Sequence, residues 1–276
     1  MVSGPDGNLW FTENSGNKIG RITTSGTFTE FPILTSSSNP AGITSGPDGN
    51  LWFTEDAGNK IGRITPTGTS TEFPIPTASS SPGGITSGPD GNIWFVENAG
   101  NKIGRCTPSG SFTEFTIPTT GSHPGGITPG PDGNLWFTER TGNKIGRATP
   151  TGSITEFASP TSNSYPSFIV SGSDGSLWFT EEAGNKIGRI TPSGSITEFS
   201  ISGTNPYPGG IGVGPDGNMW FTEENGVKIG QITPTGSITE FPVPTAAAYP
   251  EGIATGADGN LWFTEESANK IGRMTP

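Results

Sequence analysis

The sequence predicts an all-β fold, a seven-bladed β-propeller of four-stranded antiparallel blades forming one domain over residues 1–276. Three observations carry this. Trp10, Trp52, Trp94, Trp136, Trp178, Trp220 and Trp262 each stand 42 residues from the next, and a repeat of roughly 40–45 residues with several short strands describes a propeller blade. Every unit holds four strand-like segments punctuated by Gly, Pro, Asn and Asp. No segment carries an apolar period of 3.6 residues, and 44 Gly with 26 Pro make helices untenable.

The elements follow in order within each unit. The inner strand reads G-I-T-S, as in Gly42 to Ser45, and an Asp-Gly turn joins it to the second strand, N-L-W-F-T-E. A four-residue hairpin loop such as Asn14 to Asn17 leads to the third strand, K-I-G-R-I-T. That loop length sets Glu13 opposite Lys18, Phe11 over Gly20 and Trp10 beside Arg21. An aromatic ring then covers a strand glycine, and a guanidinium stacks on the indole. The adjacent Leu9, Trp10 and Phe11 predict a strand buried on both faces, as blades stacked face to face demand. A Pro-x-Gly turn leads to the outer strand, I-T-E-F-P-I, and a Ser/Thr/Pro-rich interblade loop follows. Seven full units would exceed the chain by 18 residues. The final blade is therefore expected to have three strands and an open edge that invites self-association, unless the chain is trimmed at the ring junction.

Composition excludes other classes. A net charge of −11 and a pI near 4.5 disfavour nucleic acid, and no apolar run approaches the roughly 18 residues that span a bilayer. Cys106 stands where other units carry Ile22, Ile64 or Ile190, so it reads as a core residue rather than a nucleophile. The compartment stays open, cytoplasmic or secreted.

Subtracting the repeat isolates the informative residues. The repeated Lys, Arg, Asp and Glu read as a solvated, cross-strand-paired scaffold. Off the pattern lie Arg140, Asp56, Glu182, Glu224, Glu251 and Glu266. The residue before the interblade Pro reads Asn39, Ser81, His123, Tyr165, Tyr207 and Tyr249, and Phe168 replaces a recurrent Gly. In an antiparallel meander the hairpin and interblade loops share one face of the disc. His123, Tyr165, Phe168, Tyr207 and Tyr249 are therefore candidate ligand contacts for a small molecule or peptide at the channel mouth around blades 4 to 7. Glu182, Glu224 and Glu266 are candidate oxygen ligands for Mg²⁺ or Ca²⁺.

The units G-P-D-G-N-L-W-F-T-E, N-K-I-G-R-I-T-P and G-S-I-T-E-F-P-I-P resemble those of the streptogramin B lyase (virginiamycin B lyase) family along the whole chain. The likeness is sharpest at Ser164-Tyr165-Pro166-Ser167-Phe168-Ile169. The resemblance implies a seven-bladed propeller and a Mg²⁺-dependent enzyme that linearises a cyclic depsipeptide antibiotic by elimination across its ester. The family's essential histidines follow the Pro of two successive interblade loops. In register, the first falls on Glu251 and the second in the 18-residue shortfall. The other matched positions are Ala41, Gly83, Gly125, Ser167 and Gly209, and His123 lies two residues early. The expectation is a ligand-binding or scaffold propeller without the family's post-Pro histidines. The alternatives are a Mg²⁺-dependent lyase using Glu251, Tyr249 and a bound cation, or a histidine supplied by a longer chain, and a recently amplified or engineered repeat with no ligand.

Overall fold

A computed structural model describes residues 1–276 as seven antiparallel sheets, six of four strands and one of three, each in sequence order. Blade 2 shows the pattern: inner strand Pro40–Ser45, second Leu51–Glu55, third Lys60–Ile64 and outer Ser70–Pro74. Blade 7 ends with its third strand, Lys270–Met274. The predicted register holds, with Trp10 opposite Arg21, Phe11 opposite Gly20 and Glu13 opposite Lys18. A Cβ at Gly20 would lie 2.3 Å from the Phe11 ring, which is why that strand position is glycine.

The inner strand starts earlier than its sequence suggests. It begins at Pro40 and carries a register shift between Pro40 and Ile43. There the Gly42 N–H leaves the ladder and donates to Thr54 Oγ1 at 2.9 Å. A side-chain hydroxyl thus replaces a ladder acceptor at a bulge, which strand periodicity does not reveal.

Tryptophan organises the blade interfaces. Trp10 packs against Leu51, Phe53 and Ile64 of blade 2. Its indole lies under Arg21 at 5.4 Å and stacks on the outer-strand Phe31 at 5.4 Å. Its N–H donates to Asp6 Oδ1 at 2.9 Å, so one Asp both shapes the turn and anchors the core ring. Burial alone would raise the Asp6 carboxyl, but the Trp10 and Asn8 hydrogen bonds outweigh it and hold it low. Along the inner strands, Ser45 Oγ donates to Ser3 O at 2.7 Å and Thr255 Oγ1 to Val213 O at 2.6 Å. Ser3 Oγ donates to Thr255 O at 2.7 Å and closes the ring between blades 1 and 7.

The repeated acids divide into two kinds, which corrects the expectation of a uniformly solvated scaffold. The outer-strand Glu72 pairs with Lys60 at 2.7 Å and accepts the N–H and hydroxyl of Thr35 from the preceding blade. The second-strand Glu55, Glu97, Glu139 and Glu223 are instead wholly buried, with both carboxylate oxygens lacking a hydrogen-bond partner. Desolvation, then the neighbouring outer-strand Glu, pushes Glu55, Glu97 and Glu223 up to about 7 and Glu139 to about 8. Lysine lies opposite in register but reaches past them to the outer strand. Cys106 is buried in the core, as expected, and desolvation pushes its thiol up to about 12. No helix is long and apolar enough to cross a membrane.

Candidate functional site

The hairpin and interblade loops meet on one face, as the meander predicts. The residue after the second-strand Glu donates its N–H to the carbonyl of the residue before the interblade Pro. Glu182 does so to Tyr165, Glu224 to Tyr207, and Glu266 to Tyr249, at 3.1–3.2 Å. That pre-Pro position is left-handed throughout, with φ of 49° at Asn39, 48° at His123, 60° at Tyr165, 53° at Tyr207 and 50° at Tyr249. Asn and His adopt this region more readily than most residues, whereas Tyr does so at a cost of order 1 kcal/mol that its ring must offset.

The offset comes from contacts handed between blades, in which Tyr165 and Tyr207 each reach the residue 25 positions earlier. Arg140 lies 5.1 Å from the Tyr165 ring centroid and donates to Glu182 Oε2 at 2.6 Å. The Tyr207 hydroxyl donates to the same Glu182 oxygen at 3.2 Å, and desolvation followed by Glu182 raises its phenol. The adjacent Glu224 carboxylate, then burial, pushes the Tyr249 phenol up to about 12. Desolvation lifts Glu224 to about 7 despite Tyr249, with Glu182, Glu251 and Glu266 adding to it. Arg140 is the hub of this network, and the sequence marked it only as off the pattern. The signal that identifies it is the constant 25-residue offset, already visible in the Ser81–Asp56 hydrogen bond.

Glu251 follows Pro250 on the inner strand of blade 7. Its side chain is open to solvent, yet desolvation by the surrounding wall, then Glu266, raises its carboxyl. The Met1 ammonium opposes that rise, and Glu182 and Arg140 act on it more weakly. Two candidates stand apart. The His123 ring bonds Asn98 Oδ1 through Nδ1 at 3.0 Å, at the seam of blades 3 and 4. Phe168 is half-buried against the blade 5–6 core around Trp178 and Ile211.

A cavity of about 230 Å³ opens between Glu224, Asn225, Val227, Ala247, Tyr249 and Ser267. It lies where the repeat's loop clamp has been dismantled. In blade 2, Asn59 accepts the N–H and hydroxyl of Ser80 and donates to Ile75 O and Thr77 O. Blade 6 has Val227 in the Asn position, at φ 52°, and a buried Ala248 in the Ser position. Both polar partners are replaced together, so neither is orphaned.

Glu182, Glu224 and Glu266 do not converge. No group of three or more His, Cys, Asp or Glu side chains in the structure could hold a metal ion. Glu182 is already held by Arg140 and Tyr207, and the buried orphaned carboxylates lie between blades rather than on this face. That leaves no cage of three protein ligands for the Mg²⁺ that the sequence resemblance implies, and no step is derived through it.

Fold and face together define a seven-bladed propeller carrying an aromatic and acidic loop surface. The model of the virginiamycin B lyase family matches residues 1–124 and 85–276, and the chain belongs to that family. A virginiamycin B lyase structure from Staphylococcus aureus is 46% identical, covering 98% of this chain and 91% of that one, with a TM-score of 0.93. A streptogramin B lyase structure is 43% identical, covering 99% and 91%, with a TM-score of 0.95. A catalytically inactive histidine-to-alanine variant of the Staphylococcus aureus enzyme, with quinupristin, is 45% identical over 98% and 91%, at a TM-score of 0.93. Kuenenia stuttgartiensis hydrazine synthase, at 14% identity and a TM-score of 0.80, shares the fold alone. A search of curated proteins finds no match.

Proposed function

We propose that the loop face over blades 4 to 7 binds a small-molecule or peptide ligand, and that this chain does so without the elimination chemistry of the lyases it resembles. One observation carries the reading. The post-Pro positions on this face are Ala41, Gly83, Gly125, Ser167, Gly209 and Glu251, so five offer no proton-transfer side chain. Loss of one histidine inactivates the Staphylococcus aureus relative, and the one histidine here, His123, is engaged with Asn98. The Tyr207–Glu182–Arg140 network and the Glu224–Tyr249 cavity supply the apolar walls and oriented polar groups that ligand sites need.

Titration calorimetry with quinupristin tests it, because the family and a relative's bound compound make it the natural probe. Saturable heat is expected, with Tyr165→Ala, Tyr207→Ala and Tyr249→Ala together weakening binding at least tenfold. Undiminished binding in the triple variant would place the site elsewhere.

Glu251 supports a second reading. It occupies a post-Pro position, and burial raises its carboxyl above the ordinary value, the direction that makes a carboxylate a better base. As base it would accept the proton from the carbon adjacent to the ester-bearing carbon. The C–O bond then breaks, and the ring opens to a carboxylate and an alkene. Mass spectrometry after incubation with quinupristin and Mg²⁺ separates the readings. A ring-opened product of unchanged mass, lost in Glu251→Gln, establishes the lyase; intact substrate leaves the binding reading standing.

A further inference from the structure

We propose that Asn225 is a modification site, a side chain that the folded protein converts to aspartate or isoaspartate through attack by the Gly226 backbone nitrogen. The sequence holds one Asn-Gly pair, and it lies in the hairpin loop of blade 6 between strands Met219–Glu223 and Lys228–Ile232. Glycine leaves its backbone nitrogen the most accessible of any residue, because no Cβ shields it.

The repeat shows how the pair is placed. The position before the loop glycine is tolerant, reading Ser15, Ala57, Ala99, Thr141, Ala183, Asn225 and Ser267, and it is exposed in every blade. The glycine is fixed by sterics, since a Cβ at Gly226 would lie 2.5 Å from Glu223 Oε2. An unconstrained Asn therefore precedes a residue that cannot screen the reacting amide.

Two restraints that hold this loop elsewhere are missing in blade 6. In blades 2 to 4 two successive loop N–H groups donate to a serine carbonyl of the preceding interblade loop, as Ala57 and Gly58 do to Ser38 at 3.0 and 3.2 Å. Blade 6 meets Pro206 there. Gly226 alone donates to its carbonyl, at 3.3 Å, and the Asn225 N–H makes no such bond. At the end of the loop, the Asn59 side chain ties blade 2 to Ser80, Ile75 and Thr77, and Val227 has no polar group to do the same. Few hydrogen bonds make local opening inexpensive, so the backbone reaches the geometry of attack without global unfolding.

The reaction needs only water. The Gly226 nitrogen gives its proton to solvent and attacks Asn225 Cγ; a C–N bond closes a five-membered succinimide, and ammonia leaves. Water then opens the ring at either carbonyl, leaving aspartate or isoaspartate at position 225. Asn225 lines the cavity with Glu224 and Tyr249. The conversion thus replaces a neutral amide by a carboxylate beside Glu224, a one-way change of charge that disfavours anionic ligands there and favours cationic ones.

The test holds the intact protein at physiological temperature in mildly alkaline buffer for days, followed by peptide mapping with mass spectrometry and by anion-exchange chromatography. The Asn225 peptide should convert at least about tenfold faster than those of Asn14 and Asn163, each of which precedes serine. An acidic, later-eluting form should accumulate that Asn225→Ser never yields. Val227→Asn combined with Ala248→Ser, which restores the loop's missing side-chain partners, should slow the conversion about threefold or more. An Asn225 peptide that stays unmodified, or converts no faster than those of Asn14 and Asn163, overturns the proposal. Conversion unslowed in the double variant overturns it as well, because attack would then owe nothing to the loosened loop.

Discussion

At the scale of single residues, steric fit decides more than hydrophobicity does. Gly146 lies opposite Phe137, and a Cβ there would come within 2.0 Å of the ring. Gly146→Ala should cost about 1–3 kcal/mol, because the ring is locked between blades and cannot step aside; the shift in urea midpoint measures it. The sequence disclosed this pair, since a four-residue hairpin loop fixes which residues face each other. It disclosed less about the Asp of the turn. The Asp-Gly signal gives the turn, but the indole N–H donated by Trp136 to Asp132 at 3.0 Å depends on how the turn folds back. Asp132→Ala should lower stability by about 1–2 kcal/mol by orphaning a buried donor, read as a fall in Tm.

At the scale of elements, the interblade loops are held by one Asn apiece, and blade 6 is the exception. Val227 keeps the left-handed backbone without the side chain that suits it, and Ala248 removes the matching hydroxyl. The double variant Val227→Asn with Ala248→Ser should rebuild the clamp and raise stability by more than the sum of the single changes, which a double-mutant cycle detects. It should also close the space between Glu224 and Tyr249 and weaken any ligand seated there. The aromatic and acidic sector was legible in the sequence because strict repetition makes every departure visible. The hub role of Arg140 was not, because its partners Tyr165 and Glu182 belong to the next blade.

For the whole molecule, the buried second-strand carboxylates set the response to pH. Glu55, Glu97 and Glu223 near 7 and Glu139 near 8 exceed the unfolded value of 4.5, so the folded state holds more protons between these limits. Their stabilising contribution is complete below about pH 4.5 and is lost as pH rises through 7 to 8. The outer-strand Glu72, Glu114, Glu156, Glu198 and Glu240, and turn acids such as Asp48, act oppositely. Their lowered values give stability that is lost as pH falls through them. Thermal unfolding should therefore show its highest Tm at mildly acidic pH, about 5 to 6, and a clear decline by pH 8.5. Glu139→Gln should flatten that decline and stabilise the protein at pH 8.5 by at least about 1 kcal/mol. A Tm that climbs steadily from pH 5 to 8.5 would contradict the assignment.

The sequence by itself determined the blade: its period, its four strands, its register and the residues that depart from the pattern. These are local consequences of turn chemistry and alternation, repeated seven times. The ring decided the rest. Whether a glutamate is solvated or sealed between blades, and whether a tyrosine meets an arginine 25 residues away, depends on how neighbouring blades are oriented. Glu55 and Glu72 look alike in sequence, yet one is buried without a donor and the other is hydrogen-bonded to lysine and threonine. Burial and pairing across blades are properties of the assembled disc, and a linear period cannot carry them.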